Sequence, residues 1–127
     1  MLPSAARLRR KSDFGRVYAK GRSYATDLVV VYVLPGRGPT TRVGFSVSGK
    51  LGNAVVRNRT RRRLREVVRL LLADVNGRYD VVVVAKRKSV EADLADLRAA
   101  LGGLFRQSGV IGSGRTTMLR REQQSEA

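Results

Sequence analysis

An α+β fold is predicted for these 127 residues, and three observations predict it. Apolar residues recur at helical spacing in three separate stretches, β-branched runs of strand length lie between them, and Gly, Pro or Asn marks most borders. At 43% hydrophobic content the chain can bury one core and not two, so a single domain is expected.

Residues 1–11 carry Arg7, Arg9, Arg10 and Lys11 with little apolar content, which predicts a basic, partly extended arm that meets phosphates. Ser12 can cap a short helix in which Phe14, Val17 and Tyr18 fall at i, i+3 and i+4, and Gly21 supplies its stop. Ser23 to Leu34 is β-branched and aromatic, with Asp27 marking a break between a short strand and a longer one. Pro35, Gly36, Gly38 and Pro39 form a turn, and Arg42 to Ser48 reads as the next antiparallel strand, so a β-hairpin is expected. Gly49 and Gly52 break that strand, and Asn53 caps a helix from about Ala54 to Asp74 that ends near Asn76 and Gly77. Val56, Leu64, Val67, Val68 and Leu71 line one face of this central helix. Tyr79 to Ala85 is a buried-type strand, and Ser89 is expected to cap a last helix whose Val90, Leu94, Leu97, Leu101, Leu104 and Phe105 form an apolar stripe packed on the sheet. Residues 12–108 then make the domain, and 109–127, dominated by Gly, Ser, Thr, Gln and charge, are expected to be a disordered polar tail.

Lys and Arg total 26 against 10 Asp and Glu, a net charge of +16, which calls for a polyanionic partner. No apolar run reaches the roughly 18 residues of a bilayer-spanning helix, and the first residues lack a signal peptide's apolar centre, so a soluble, cytoplasmic chain without a membrane partner is expected. With no Cys and no His, disulfides, thiolate zinc ligands, a cysteine nucleophile and the commonest general base are all closed off. Such a chain is a binder of nucleic acid before it is a catalyst.

The informative stretch is VGFSVSGKLGNAVVRNRTRRRLREVVR, Val43 to Arg69, with seven arginines in the thirteen residues from Arg57. Arg57, Arg61 and Arg65 stack at four-residue steps with Arg62 and Arg69 beside them, a ridge expected to face outward. Like charges at that spacing repel, and a merely solvated face would intersperse acids, yet only Glu66 is present, so the ridge is read as a surface neutralised by phosphates. Gly44 to Lys50 matches G-x-x-x-x-G-K, but Leu51 stands where a nucleotide-binding P-loop needs Ser or Thr, and FSVS reads as strand. Glu91, Asp93 and Asp96 form the one acidic cluster; they are read as favouring the start of the last helix and not as a magnesium site. Phe14, Tyr18 and Tyr32 have two readings, ordinary core or, with Val30 on the same sheet face as Tyr32, a cleft that stacks single-stranded bases.

These residues carry a family resemblance over about Arg7 to Ser108. GNAVVRNRTRRRLRE, Gly52 to Glu66, resembles the "RNR" signature of the bacterial ribonuclease P protein subunit, preceded by GFSVS and flanked by RLRRKSDFGRVY upstream and VVVVAKR downstream. The resemblance implies an α/β sandwich in the order α-β-β-β-α-β-α around a four-stranded mixed sheet, with a left-handed β-α-β crossover where general rules predict a right-handed one. It also implies a partner RNA that, with bound magnesium, hydrolyses precursor tRNA to free the mature 5′ end, while the protein binds no cofactor or metal itself and supplies no catalytic residue. By position, Arg57, Asn58, Arg59, Arg61, Arg62 and Arg65 match the segment that faces the catalytic RNA, with Lys50 at its rim. Phe14, Tyr18, Val30 and Tyr32 match the cleft that receives the 5′ leader, with Arg9 at its edge. Gly49 departs from the lysine pair that many members carry before the Leu/Ile-Gly-Asn turn, and the polar tail after Ser108 is an addition. DNA is not an expected partner, and the oligomeric state is left open. Two other functions fit the charge and size, a structural RNA-binding protein of the ribosomal kind and a stand-alone endonuclease.

Overall fold

The computed structural model describes Leu2 and residues 4–112. Helix α1 (Lys11–Lys20) begins one residue before the expected Ser12 cap, with Arg10 at the N-cap and no side-chain hydrogen bond there. Asp13 in its first turn favours the positive end of the helix instead. Gly21 ends α1 as expected, for a different reason from the usual left-handed cap: its φ is −78°, and a Cβ would fall 2.6 Å from the Val17 carbonyl oxygen and 3.0 Å from that of Val33. Strand β1 (Arg22–Ala25) and strand β2 (Val29–Pro35) are separated where Asp27 predicted a break. Thr26 makes that turn, its Oγ1 accepting from the N–H groups of Leu28 at 3.1 Å and Val29 at 3.3 Å.

Strand β3 (Arg42–Ser46), helix α2 (Ala54–Leu71), strand β4 (Tyr79–Ala85) and helix α3 (Leu94–Gln107) complete the regular elements. The sheet order is β1-β2-β4-β3, with β2 antiparallel to β4 and β3 parallel to it. The expected β2–β3 hairpin is therefore corrected: β4 lies between the two strands, and α2 is the crossover that joins β3 to its parallel neighbour. The physical reason is in β4 itself. Val81, Val82 and Val83 are all fully buried, so both faces of this strand need cover, which only an interior position supplies.

Alternation along β2 and β4 divides the core between the two sheet faces. Val29, Val31, Val33, Val81 and Val83 join Leu64, Val67 and Val68 of α2 and Leu97, Leu101 and Phe105 of α3 in the main cluster. On the other face Val17 of α1 packs with Leu8 and Val82, flanked by Phe14, Tyr32, Leu34 and Val84. The start of α2 is as expected, the Asn53 Oδ1 accepting from the Val56 N–H at 3.0 Å. For α3 the expectation of a Ser89 cap is corrected. Ser89 is buried in a 3-10 turn (Arg87–Val90), its hydroxyl donating to the Lys86 carbonyl at 2.6 Å, and Asp93 caps instead, its Oδ1 accepting from the Asp96 N–H at 2.9 Å.

Both ends of the described chain are held more tightly than their composition suggested. In the segment read as a basic arm, Leu2, Ala6 and Leu8 are buried, a 3-10 turn spans Ser4–Ala6, and the Leu8 N–H donates to the Val43 carbonyl at 3.0 Å along the outer edge of β3. At the other end, the expected tail start at 109 is corrected. Gly109 takes the left-handed φ of +85°, Val110 and Ile111 are buried, and Ile111 bridges Val75. The expectation of disorder for 113–127 lies outside the described residues.

One buried charge ties these layers together. Asp80 is fully buried in β4, where Arg42 of β3 grips it with two bonds, Nε to Oδ1 at 3.1 Å and Nη2 to Oδ2 at 3.0 Å. Arg16 of α1 donates to the same Oδ2. Burial alone would raise the Asp80 carboxyl, but the hydrogen bonds from Arg42 and Arg16 outweigh it and hold it below the usual carboxylate range. Replacing Asp80 by Asn should lower unfolding free energy at neutral pH by about 3 kcal/mol, because it leaves two guanidiniums facing a neutral group. The depressed folded-state value means that the carboxylate's contribution is complete above the unfolded value of about 3.9 and drains away as pH falls below it. Urea titrations at neutral and at acid pH check both halves: a wide gap between parent and Asp80→Asn at neutral pH that narrows in acid.

Candidate nucleic-acid interface

The Asn53 cap fixes the phase of α2, and from that phase follows which arginines face solvent. Thr60 fills the sheet-facing position between Val56 and Leu64, fully buried, with its hydroxyl donating to the Val56 carbonyl at 2.9 Å. It completes the apolar face read from the sequence. The expected outward ridge is corrected in part: Arg62 and Arg69 are exposed, as is Arg59, whereas Arg57, Arg61 and Arg65 are half-buried and lie along the flank of the helix. Asn58 orients its neighbour, its Oδ1 accepting from Arg61 Nη1 at 3.0 Å. Arg63 belongs to the fold, donating to the Ala92 carbonyl in the approach to α3. Glu66 takes Arg69 in a two-bond pair at 2.9 and 2.8 Å.

Arg65 shows what this crowding costs. Its guanidinium lies over the Phe45 ring, 5.9 Å from the centroid, and burial, with the charges of Arg7 and Arg61 close by, pulls it below its ordinary value. A cationic cluster held against itself in this way favours an incoming anion. Asn58, Arg61, Arg62, Arg65 and Glu66 line a hollow of about 520 Å³ over this part of the helix. Lys50 is exposed in a 3-10 turn (Gly49–Leu51) just before α2. Gly49, the departure from the family pattern, sits beneath Arg57: a Cβ there would fall 3.3 Å from Arg57 Nη1.

The aromatic residues come together on the opposite face of the sheet. The Phe14 and Tyr18 rings meet edge to face at 6.4 Å between centroids, and Tyr18 meets Tyr32 at 5.0 Å and 81°. Tyr18 is 40% exposed, too open for a core position, and Val30 and Tyr32 are half-buried on the α1 side of β2. Of the two readings left open by the sequence, an open cleft fits these exposures better than a closed core. Phe14 rests on the backbone of Gly44, where a Cβ would fall 2.9 Å from Phe14 Cε1 and 3.1 Å from the Leu8 carbonyl oxygen. Glycine at this point of β3 leaves the room that the ring occupies.

Cleft and arginine helix are joined. A groove of about 310 Å³ runs over the edge of β3, lined by Arg9 and Phe14 at one end and by Arg7, Phe45, Arg61 and Arg65 at the other. Arg9 is exposed at its rim. The sequence groups Arg7 with the general charge of the arm; its place beside Arg61 and Arg65 emerges only from the parallel bridge between Arg7 and Val43. Aromatic faces for bases beside guanidiniums for phosphates are the components of a single-stranded nucleic-acid site.

Acidic chemistry is sparse around this surface. Asp13 and Asp80 pair with arginines, Asp93 is spent on the α3 cap, and among the described residues no three His, Cys, Asp or Glu side chains converge as a metal site would require. The G-x-x-x-x-G-K match falls partly on the extended β3, where no phosphate loop forms. Among the described residues no helix is long and apolar enough to cross a membrane.

Comparison with known proteins agrees with this geometry. The family model for ribonuclease P matches residues 2–109. The ribonuclease P protein component of Symbiobacterium thermophilum is 44% identical over 111 residues, covering 87% of this chain and 96% of the relative, and that of Clostridium novyi is 38% identical, covering 82% and 94%. The structure of the Staphylococcus aureus RNase P protein superposes with a TM-score of 0.78 at 31% identity, over 86% of this chain and 100% of that one. The Thermotoga maritima RNase P protein superposes at 0.73 and 28% identity, over 80% and 96%. With most of both chains covered and the mixed four-stranded sheet shared, this chain belongs to the ribonuclease P protein family.

Proposed function

We propose that this chain is the protein subunit of a tRNA-processing ribonuclease P. It docks on the catalytic RNA through Arg57, Asn58, Arg59, Arg61, Arg62 and Arg65, with Lys50 at the edge. It holds the 5′ leader of precursor tRNA against Phe14, Tyr18, Val30 and Tyr32, with Arg9 at the rim. The observation that supports this reading is the groove lined by Phe14, Arg61 and Arg65, since an aromatic face and guanidiniums on one path suit the bases and phosphates of a single strand. The family membership supports it, since the relatives are named as ribonuclease P protein components.

Catalysis is assigned to the RNA. The chain has no His or Cys, and several of its carboxylates are engaged by arginines or a helix cap. Magnesium is assigned to the RNA subunit, and the protein's part is to add positive charge where two RNA molecules must approach, which lowers the concentration of divalent cation they need. The direct test is cleavage of precursor tRNA by a bacterial ribonuclease P RNA at magnesium too low for the RNA alone, with and without this protein. Strong stimulation at the correct 5′ end, with no cleavage by protein alone, is the expected result. RNA binding without stimulation would favour a structural RNA-binding protein, and cleavage by protein alone a stand-alone endonuclease.

Two sets of variants separate the surfaces. Arg61→Ala with Arg65→Ala should weaken assembly with the catalytic RNA and lower the slope of log affinity against log salt by about two, one for each lost phosphate contact, while the circular dichroism spectrum of the free protein is unchanged. Phe14→Ala and Tyr32→Ala should each weaken leader-bearing precursor by about 1 to 3 kcal/mol, the usual value of a base–aromatic stack, with mature tRNA unaffected in equilibrium binding to the reconstituted holoenzyme.

A further inference from the structure

Arg16 stands in α1 between Phe14 and Tyr18, yet it takes no share in the surface they form. Its side chain is 12% exposed and turned onto the sheet, where it pairs with Asp80, fully buried in β4, and lies 3.6 Å from Asp13 of its own helix. Arg42 reaches the same two carboxylates from β3, at 3.0 Å to Asp80 and 3.7 Å to Asp13. The cluster sums to zero charge, two arginines against two aspartates, in a chain of +16. It therefore offers little to an RNA phosphate.

Its position relative to the cleft is set by register. Leu34, Asp80 and Arg42 are aligned across β2, β4 and β3, and the adjacent row on the same sheet face is Tyr32, Val82 and Gly44. The first row anchors α1 through Arg16. The second carries its aromatic contacts, Phe14 against Gly44 and Tyr18 against Tyr32. Val17 packs with Val82 between them, and apolar packing of this kind resists separation more than sliding. A directional ion pair one row away fixes where along the sheet the helix sits.

We propose that Arg16 is a positioning residue for the leader: its bond to Asp80 sets the seat of α1 on the sheet, and through it the spacing of Phe14 and Tyr18 over Tyr32 and Val30 that a single-stranded RNA enters. This rests on the leader-cleft reading above. Because the pair is buried, salt screens it far less than exposed phosphate contacts, so the cleft keeps its shape under conditions that weaken RNA docking.

Arg16→Met keeps the aliphatic stem and removes the charge, and Asp80 retains both bonds from Arg42, so the variant is expected to stay folded. The experiment compares parent, Arg16→Met, Arg16→Lys and Phe14→Ala in holoenzyme reconstituted with ribonuclease P RNA. It measures the affinity ratio of leader-bearing precursor to mature tRNA, the affinity of protein for catalytic RNA, and the melting curve. Arg16→Met should lower the ratio about tenfold, in keeping with the sensitivity of bound geometry to small displacements, without change in catalytic-RNA affinity, and Arg16→Lys should restore most of it. An unchanged ratio in Arg16→Met alongside a reduced one in Phe14→Ala overturns the positioning role and leaves the cleft standing. A ratio unmoved by Phe14→Ala as well removes the cleft reading and the proposal with it. Equal losses for precursor, mature tRNA and catalytic RNA, tracking the melting curve, mark Arg16 as structural only and overturn the proposal.

Discussion

The carboxylate of Asp80 is the constraint around which the rest is arranged. A charge buried in the middle of a sheet is stable only with partners that satisfy its oxygens, and here they come from two other elements. Arg42 can reach it because β3 runs parallel beside β4 in a register that puts residues 42 and 80 opposite each other. Arg16 can reach it because α1 crosses the same face. The strand order, the helix placement and the buried pair each require the others, and slippage of β4 by one residue would carry the carboxylate to the face packed by Leu64 and Phe105.

Charge is thereby sorted into two populations. Arg16, Arg42 and Arg63, the last through the Ala92 carbonyl, are spent on the fold. Arg57, Arg59, Arg61, Arg62 and Arg65 lie on α2 at spacings where like charges repel in the free protein, and Arg65, lowered first by burial, is lowered further by the charges of Arg7 and Arg61. The sorting lets one small domain be rigid and strongly cationic together. The ion pairs that hold α1 are compensated internally, so a bound RNA does not have to compete with them for the same guanidiniums.

The elements were legible in the sequence because each rests on local chemistry: the Asn53 cap, the phase of Val56, Leu64, Val67 and Val68, and the break at Asp27 all act within a few residues. Topology was not, because preference for neighbouring strands suggested a hairpin where β4, from far along the chain, takes the middle place. The signal was present in the unbroken VVVV of residues 81–84, since a strand apolar on both sides belongs in the interior. The ends are hard to read for a related reason: Leu2, Ala6, Leu8, Val110 and Ile111 come singly or in pairs among polar residues, with no period to mark them. Of the candidate site, the arginine helix and the aromatic stripe were legible as spacing on one helix each. The Arg16–Asp80 pair spans 64 residues and Arg42–Asp80 spans 38, so only the folded register joins them, although an Asp abutting four valines was a sign that a buried charge needed a partner.

Gly44 shows how closely the two surfaces are coupled. It belongs to β3, in which Arg42, two residues earlier, holds Asp80 and Phe45, the next residue, lies under Arg65. With no side chain of its own it seats Phe14. Three positions of one strand thus serve three tasks, because alternation sends Arg42 and Gly44 to the α1 face and Phe45 to the α2 face. The aromatic cleft and the arginine helix lie on opposite sides of the sheet, and β3 is thin enough, one strand at an edge, for the groove to pass over it from one side to the other. On the proposed function, a strand entering the cleft is led by the shape of the protein toward the arginines of α2, the geometry that function would need to bring a substrate and a catalytic RNA together.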